Sequence, residues 1–357
     1  MTDVLDRLKA LLNGAPPKSQ TQTMRDTLDT GRRAKFAEDY DQALDALNHA
    51  VAVARAANEP AAVAVVGLHQ AEVLIRLQRW DEAETLLASI EQTADRDGQP
   101  EQEAYELCTL GTLRQEQGNW SEARAIYERA LQVARQARSA GAEGRALGHL
   151  ADTYLHEENA SYAAHLLRDA LPKLNNAGDI ELSSYFVGLL GQALIATGQE
   201  VEGQHLLGRA LQLAEHIHYR AYERRWAAVL GERAFSEARY HDAYAHYTHA
   251  LRLFAPDAMT PEYVTTLCYL SQVCLSLRDY AQALLHGKAA VTAADTLSDP
   301  LRAKAQGALG SALRAAGQSG DAIPYLSAAA DLYARIDGDT DIVEIETLRS
   351  LAGAQAD

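Results

Sequence analysis

The chain has 357 residues, 47% of them apolar and only 6% aromatic, with 49 acidic against 33 basic side chains and a formal charge of −16. That length allows two ordinary domains or one elongated array of neighbouring units, and the Ala-rich, aromatic-poor composition favours closely packed helices over a sheet-built core. Acidity with no basic block excludes a phosphate backbone as the natural partner, and implies a protein or peptide partner that is neutral or basic where it touches.

The opening stretch, MTDVLDRLKALLNG, holds no apolar run of signal-peptide or membrane-spanning length. Val4, Leu5, Leu8, Leu11 and Leu12 share one helical face, Asn13-Gly14 reads as its stop, and Ala15-Pro16-Pro17 follows. Residues 1–20 are therefore expected to form an N-terminal helix and linker. The helix either covers the first repeat or docks on a neighbour.

From residue 21 the pattern returns. Ala43, Ala83, Ala123, Ala163, Gly203, Ala243 and Ala283 recur every 40 residues, and Ala322 follows after 39. Four positions further on stand Leu47, Leu87, Tyr127, Leu167, Leu207, Tyr247, Gly287 and Leu326, and seven further on all but Ile90 are Ala. These are i, i+4 and i+7 of one face, so each segment is an amphipathic helix.

Ahead of it runs a second helix with a uniformly small row, Gly31, Ala71, Gly111, Ala151, Gly191, Gly231, Ser271 and Gly310. Small residues on two consecutive helices allow close approach, so the unit is a helical hairpin. Turn signals such as Gly118-Asn119, Thr197-Gly198 and Gly317-Gln318 separate the two helices, while Gly98-Gln99-Pro100, the Pro256 to Pro261 stretch and Ser298-Asp299-Pro300 join successive hairpins. The expected boundaries are 21–60, 61–100, 101–140, 141–180, 181–220, 221–260, 261–300 and 301–336.

In the fourth hairpin Pro172 should bend or end its helix. Gly188, Gly191, Gly203 and Gly208 scatter through the fifth, which makes about 172–208 either the softest part of the array or a place of tighter packing. After the eighth hairpin, residues 337–357 set Ile342, Val343, Ile345, Leu348 and Leu351 among acids, as a capping helix and tail would.

Leu110-Gly111, Trp120, Ala123, Tyr127 and Ala130 resemble the tetratricopeptide (TPR) consensus, and the likeness recurs in register through all eight units. The period is longer than that family's usual 34 residues, so the helices should gain about a turn. In this the chain is similar to the long-repeat solenoids of kinesin light chains, Pins/LGN-type scaffolds and bacterial peptide-responsive regulators. The resemblance implies an all-α, right-handed superhelical TPR solenoid of about eight helical hairpins with capping helices, whose inner wall comes from the first helix of each pair.

On that wall the resemblance places Arg32, Glu72, Thr112, Asp152, Gln192, Glu232, Gln272 and Ser311, all polar. One turn earlier the row is small or apolar, Cys108 among it, and a further turn back come Tyr105, Arg145, Tyr185 and Arg225. Solvation alone accounts for a polar inner row but not for the small row beside it. A polar stripe along a smooth floor suits a peptide backbone and its side chains, with Tyr and Arg as anchors.

Cys108, Cys268 and Cys274 lack CxxC spacing and lie in apolar helices, which reads as reduced, buried thiols in a cytoplasmic protein. His246 and His249 have i, i+3 spacing but no further ligands, so no metal is expected, and no nucleotide or hydrolase fingerprint is present. The reading is a non-enzymatic, cofactor-free scaffold binding a protein or peptide segment in the groove. The alternative is a ligand- or peptide-responsive sensor whose superhelix changes shape, and self-association through the end helices fits either.

Overall fold

The computed structural model describes residues 18–93, 100–255 and 258–335. The expected N-terminal helix over residues 4–12, the Gly98-Gln99 joint, Pro256 and the capping segment 337–357 lie outside the described residues. Within them are sixteen α-helices and no strand.

The helices pair as hairpins: α1 (Lys18–Phe36) with α2 (Tyr40–Ala56), α3 (Pro60–Arg76) with α4 (Trp80–Thr93), α5 (Pro100–Glu116) with α6 (Trp120–Gln136), and α7 (Ala140–His156) with α8 (Ala160–Ala177). Then follow α9 (Ile180–Ala196) with α10 (Glu200–His216), α11 (Arg220–Ser236) with α12 (Tyr240–Arg252), α13 (Pro261–Ser276) with α14 (Tyr280–Ala294), and α15 (Asp299–Ala315) with α16 (Ser319–Arg335). Most helices are 17 residues long, about 25 Å. Two such helices and two three-residue connections account for the 40-residue period.

Each helix starts and stops for local reasons. Asp39, Asn159, Asp179 and Asp279 accept hydrogen bonds from the backbone N–H groups of Gln42, Tyr162, Leu182 and Gln282, which satisfies one otherwise orphaned donor at each N-terminus. Pro60 and Pro261 occupy first-turn positions, where the missing N–H costs nothing. At the stops the chain turns left-handed: Gly118 (φ 82°) donates to the Gln115 carbonyl while Asn119 donates to that of Arg114, a Schellman closure. The same turn occurs without glycine at Glu38, Asn58, Gln78, Arg138, Glu158, His218, Ala238 and Arg278.

Pro172 does not end its helix. α8 runs five residues beyond it to Ala177, and Gly178 (φ 70°) provides the stop. Proline removes one donor, and the packed face of Ala163, Leu167, Ala170 and Leu174 carries the helix through.

Within the hairpins the small row of the first helix receives the large row of the second. Gly31 faces Leu47 and Gly310 faces Leu326, each with no room for a methyl group between them, and Gly231 faces the Tyr247 ring, where a methyl group would sit a tight 3.1 Å away. Where Ser271 takes the small position, its hydroxyl donates to the Ala283 carbonyl at 2.9 Å across the same crossing.

The chain divides into two compact units, 1–222 and 223–357, the boundary falling inside α11. The first has a core running from Met24, Leu28 and Leu47 to Phe186 and Leu194. The second is built on Trp226, Tyr247, Leu270 and Val273, all buried, with Tyr269 stacked on Tyr247 at 5.2 Å.

Candidate functional site: the first-helix wall of the first unit

Helices α1, α3, α5, α7 and α9, with Tyr219 and Tyr222 at the start of α11, line one shared cavity of about 70 Å³, largely with polar side chains; α1 contributes Lys35 alone. Of the residues expected on the wall, Glu72, Thr112, Arg145, Asp152 and Tyr185 line it together. Tyr105 and Cys108 lie buried behind it. Arg145 sits over the Tyr105 ring at 5.4 Å, and the Thr112 hydroxyl donates to the Cys108 carbonyl at 3.0 Å. Arg32 and Gln192 are half-buried and do not line the cavity.

In the second unit Arg225, Glu232 and Gln272 are exposed and Ser311 is half-buried. Arg225 lies against the Trp226 ring at 5.3 Å. Lys304 caps the Tyr269 ring at 4.2 Å.

The residue that organises the cavity is Lys35, at the end of α1. Its ammonium donates to Glu72 Oε2 and Glu181 Oε1, both at 2.8 Å, with the side chain 3% exposed. Burial pulls its pKa down, but the Glu181 and Glu72 carboxylates outweigh that and hold it above the ordinary lysine value. Arg145 donates to Glu72 at 3.3 Å and Asp179 at 3.4 Å. Burial also works against its charge, and Asp179 and Glu72 again prevail. Burial raises Glu72, yet Lys35, His69 and Arg145 together keep it well below the usual carboxylate range.

Asp152 differs from these acids. Its Oδ2 accepts from Gln115 Nε2 and from the Tyr185 hydroxyl, each at 2.7 Å, so both of its donors are neutral. It is a buried carboxylate, 7% exposed, with no cationic partner among the described residues. Beside it His149 stacks on Tyr127 and meets the Phe186 edge. Burial first, and Arg145 second, lower its pKa to about 3 and keep the ring neutral.

Sequence reasoning missed Lys35, Gln115 and Glu181. A signal for two of them existed: four residues after the small row stand Lys35, Ile75, Gln115, Leu155, Ile195, Phe235, Leu275 and Arg314. Lys35, Gln115 and Arg314 are polar exceptions in an apolar row, and the first two bond to wall carboxylates. The partnership with Glu181 bridges hairpins that are not sequence neighbours, which a repeat pattern does not encode.

No family model and no curated protein matches the sequence. Solved structures do match by shape. The apo form of the quorum sensor NprR from B. thuringiensis superposes with a TM-score of 0.62 at 16% identity, covering 92% of this chain and 91% of that one. NprR in complex with its cognate peptide NprX gives 0.52 at 15%, covering 94% and 98%. The APC/C hetero-tetramer Cut9-Hcn1 gives 0.68 at 15%, covering 97% of this chain and 59% of that one. The chain has the all-α TPR-type helical-repeat fold.

Proposed function

We propose that this chain is a non-enzymatic binding protein that holds a peptide or protein segment against the first-helix wall of its first unit. The observation that carries this is Asp152, a buried carboxylate facing the cavity whose two hydrogen-bond donors, Gln115 and Tyr185, are both neutral. Such a group retains acceptor capacity for a backbone N–H or a basic side chain, which suits the neutral or basic partner expected from an acidic chain.

Catalysis has no comparable support. The Cys108 thiol is fully buried and burial pushes it up to about 12, far from a nucleophile, and His149 stays neutral with its protonation suppressed. No described helix is long and apolar enough to cross a membrane, and a cytoplasmic setting goes with this reading.

A second reading, a sensor that changes shape on binding, draws on the contact of Lys35 in the first hairpin with Glu181 in the fifth. NprR is described as a quorum sensor and has been solved with a cognate peptide. That relationship is a likeness of fold.

The test is selection of a displayed library of random heptapeptides against the full chain, followed by calorimetry of the selected peptides. Asp152→Asn is expected to weaken them about tenfold or more, since it removes a buried charge from the contact. Gln272→Ala, exposed in the second unit, should leave them unchanged. Equal binding by Asp152→Asn, or a library that yields no binder, overturns the proposal.

A further inference from the structure

In a helical-repeat array each hairpin is stabilised by its own contacts and those with its neighbours. The end of α1 does more. Lys35 reaches Glu181 on α9 at 2.8 Å, Phe36 stacks on Tyr219 at 4.7 Å between ring centroids, and Arg220 donates to the Ala37 carbonyl at 3.3 Å. Lys35 also lies 5.3 Å from the Phe36 ring and 6.0 Å from that of Tyr219. Three kinds of contact, an ion pair, an aromatic stack and a side-chain hydrogen bond to a backbone carbonyl, thus join the first hairpin to the fifth and to the start of α11, all within the first unit.

The cavity behind them, about 70 Å³, has room for a few waters, whereas ligand pockets usually run to several hundred Å³. A peptide segment cannot enter that space while α1 and α9 remain joined. The tie is also discrete: it is made at one lysine, one stacked pair and one side-chain hydrogen bond to a carbonyl, few enough contacts to open together as a two-state element does.

We propose that Lys35, Phe36, Tyr219 and Glu181 form a clasp that holds the first unit shut over its own binding wall, so that a ligand gains access only in the unclasped state. The clasp rests on the wall being the ligand site. It makes apparent affinity the product of intrinsic affinity and the unclasped fraction. Loosening the clasp should therefore tighten ligand binding, the opposite of what loss of a contact residue does.

The experiment places spin labels on cysteines substituted at Asp45 on α2 and Arg209 on α10, both exposed; the three native cysteines are buried. Distances are measured for the otherwise unaltered chain, for Lys35→Met, and for Lys35→Arg, which keeps a cation between Glu72 and Glu181. Lys35→Met should shift the distribution to longer distances, and Lys35→Arg should leave it near the original. Should Lys35→Met not fold, Glu181→Gln, which leaves Lys35 paired with Glu72, takes its place.

In parallel, the library-selected heptapeptides should bind the unclasped variant up to about tenfold more tightly, as expected if the open fraction rises from roughly a tenth to most of the population. Unchanged distances in Lys35→Met, or in Glu181→Gln where it takes its place, overturn the clasp, whatever the peptides do. Lengthened distances with no peptide bound by any form keep the clasp and overturn the peptide reading. Lengthened distances with unchanged or weaker binding separate the clasp from access and overturn its proposed role.

Discussion

Gly191 on α9 and Gly203 on α10 face each other at the closest crossing of the fifth hairpin. A methyl group on Gly191 would stand 2.8 Å from the Gly203 carbonyl oxygen, and one on Gly203 would stand 2.6 Å from that of Gly191. Both obstacles are backbone, which cannot swing aside. These two glycines therefore serve packing, and the smallness of the sequence here reflects contact between helices.

Gly191→Ala is accordingly expected to destabilise the chain by about 2 kcal/mol through overpacking. Gly208, on the same α10, meets nothing within 4 Å, and Gly208→Ala should stabilise by about 0.5–1 kcal/mol from helix propensity alone. Urea unfolding of the two variants checks the contrast in sign. Equal effects would return the glycine-rich stretch to being merely soft.

Stability should fall on acidification. His149 titrates near 3 in the folded chain against an ordinary 6.5, so below pH 6.5 the unfolded chain binds a proton that the folded one refuses. Its contribution is full above pH 6.5 and is lost progressively as pH falls. Glu72, depressed below 4.5, adds a second loss at lower pH with the same sign. From pH 7.5 to 5.0 the His149 effect is about 2 kcal/mol, and urea midpoints for His149→Gln should be flatter across that interval.

Tyr185→Phe should cost about 1–3 kcal/mol, because it leaves the buried Asp152 carboxylate with Gln115 as its remaining donor. The double change with Asp152→Asn should cost less than the sum of the two single changes, since each disrupts the same hydrogen bond. A double-mutant cycle measures that difference. Strict additivity would mean that the Tyr185 hydroxyl does not support the carboxylate.

Ala238 closes α11 in the left-handed region at φ 57° without being glycine. That conformation costs a non-glycine residue about 1–2 kcal/mol, part of which glycine loses again as unfolded-state entropy. Ala238→Gly should thus raise stability by about 0.5–1 kcal/mol, whereas Gly118→Ala at φ 82° should lower it by about 1 kcal/mol. Thermal unfolding separates the two.

The helices and their pairing were legible because Ala123, Tyr127 and Gly111 and their equivalents each report a local necessity, the closeness of two helices that follow one another. Turns were legible at Gly118, Gly198 and Gly317, and invisible at Arg138 or His218, where hydrogen bonding at the helix end forces the same backbone on a residue that does not advertise it. Glu72, Arg145, Asp152 and Tyr185 were legible as members of polar rows. Their partners were not, since Lys35 meets Glu181 through the winding of five hairpins, and winding is the sum of small rotations that no single repeat spells out. Of the two outcomes expected at Pro172, the helix end did not occur, because a local rule about one missing donor yielded to the packing of a whole helix face.

The pairing of Lys35 with Glu181 also orders events in time. The two residues are separated by 146 positions, so on a ribosome adding about 5–20 residues per second Lys35 waits on the order of ten seconds for its second carboxylate to be synthesised. Hairpins one to four can form in that interval through neighbour contacts, with Lys35 served by Glu72 alone. The first unit therefore assembles as an open row and is completed only when the fifth hairpin arrives, which makes its last-made segment the one that seals its first.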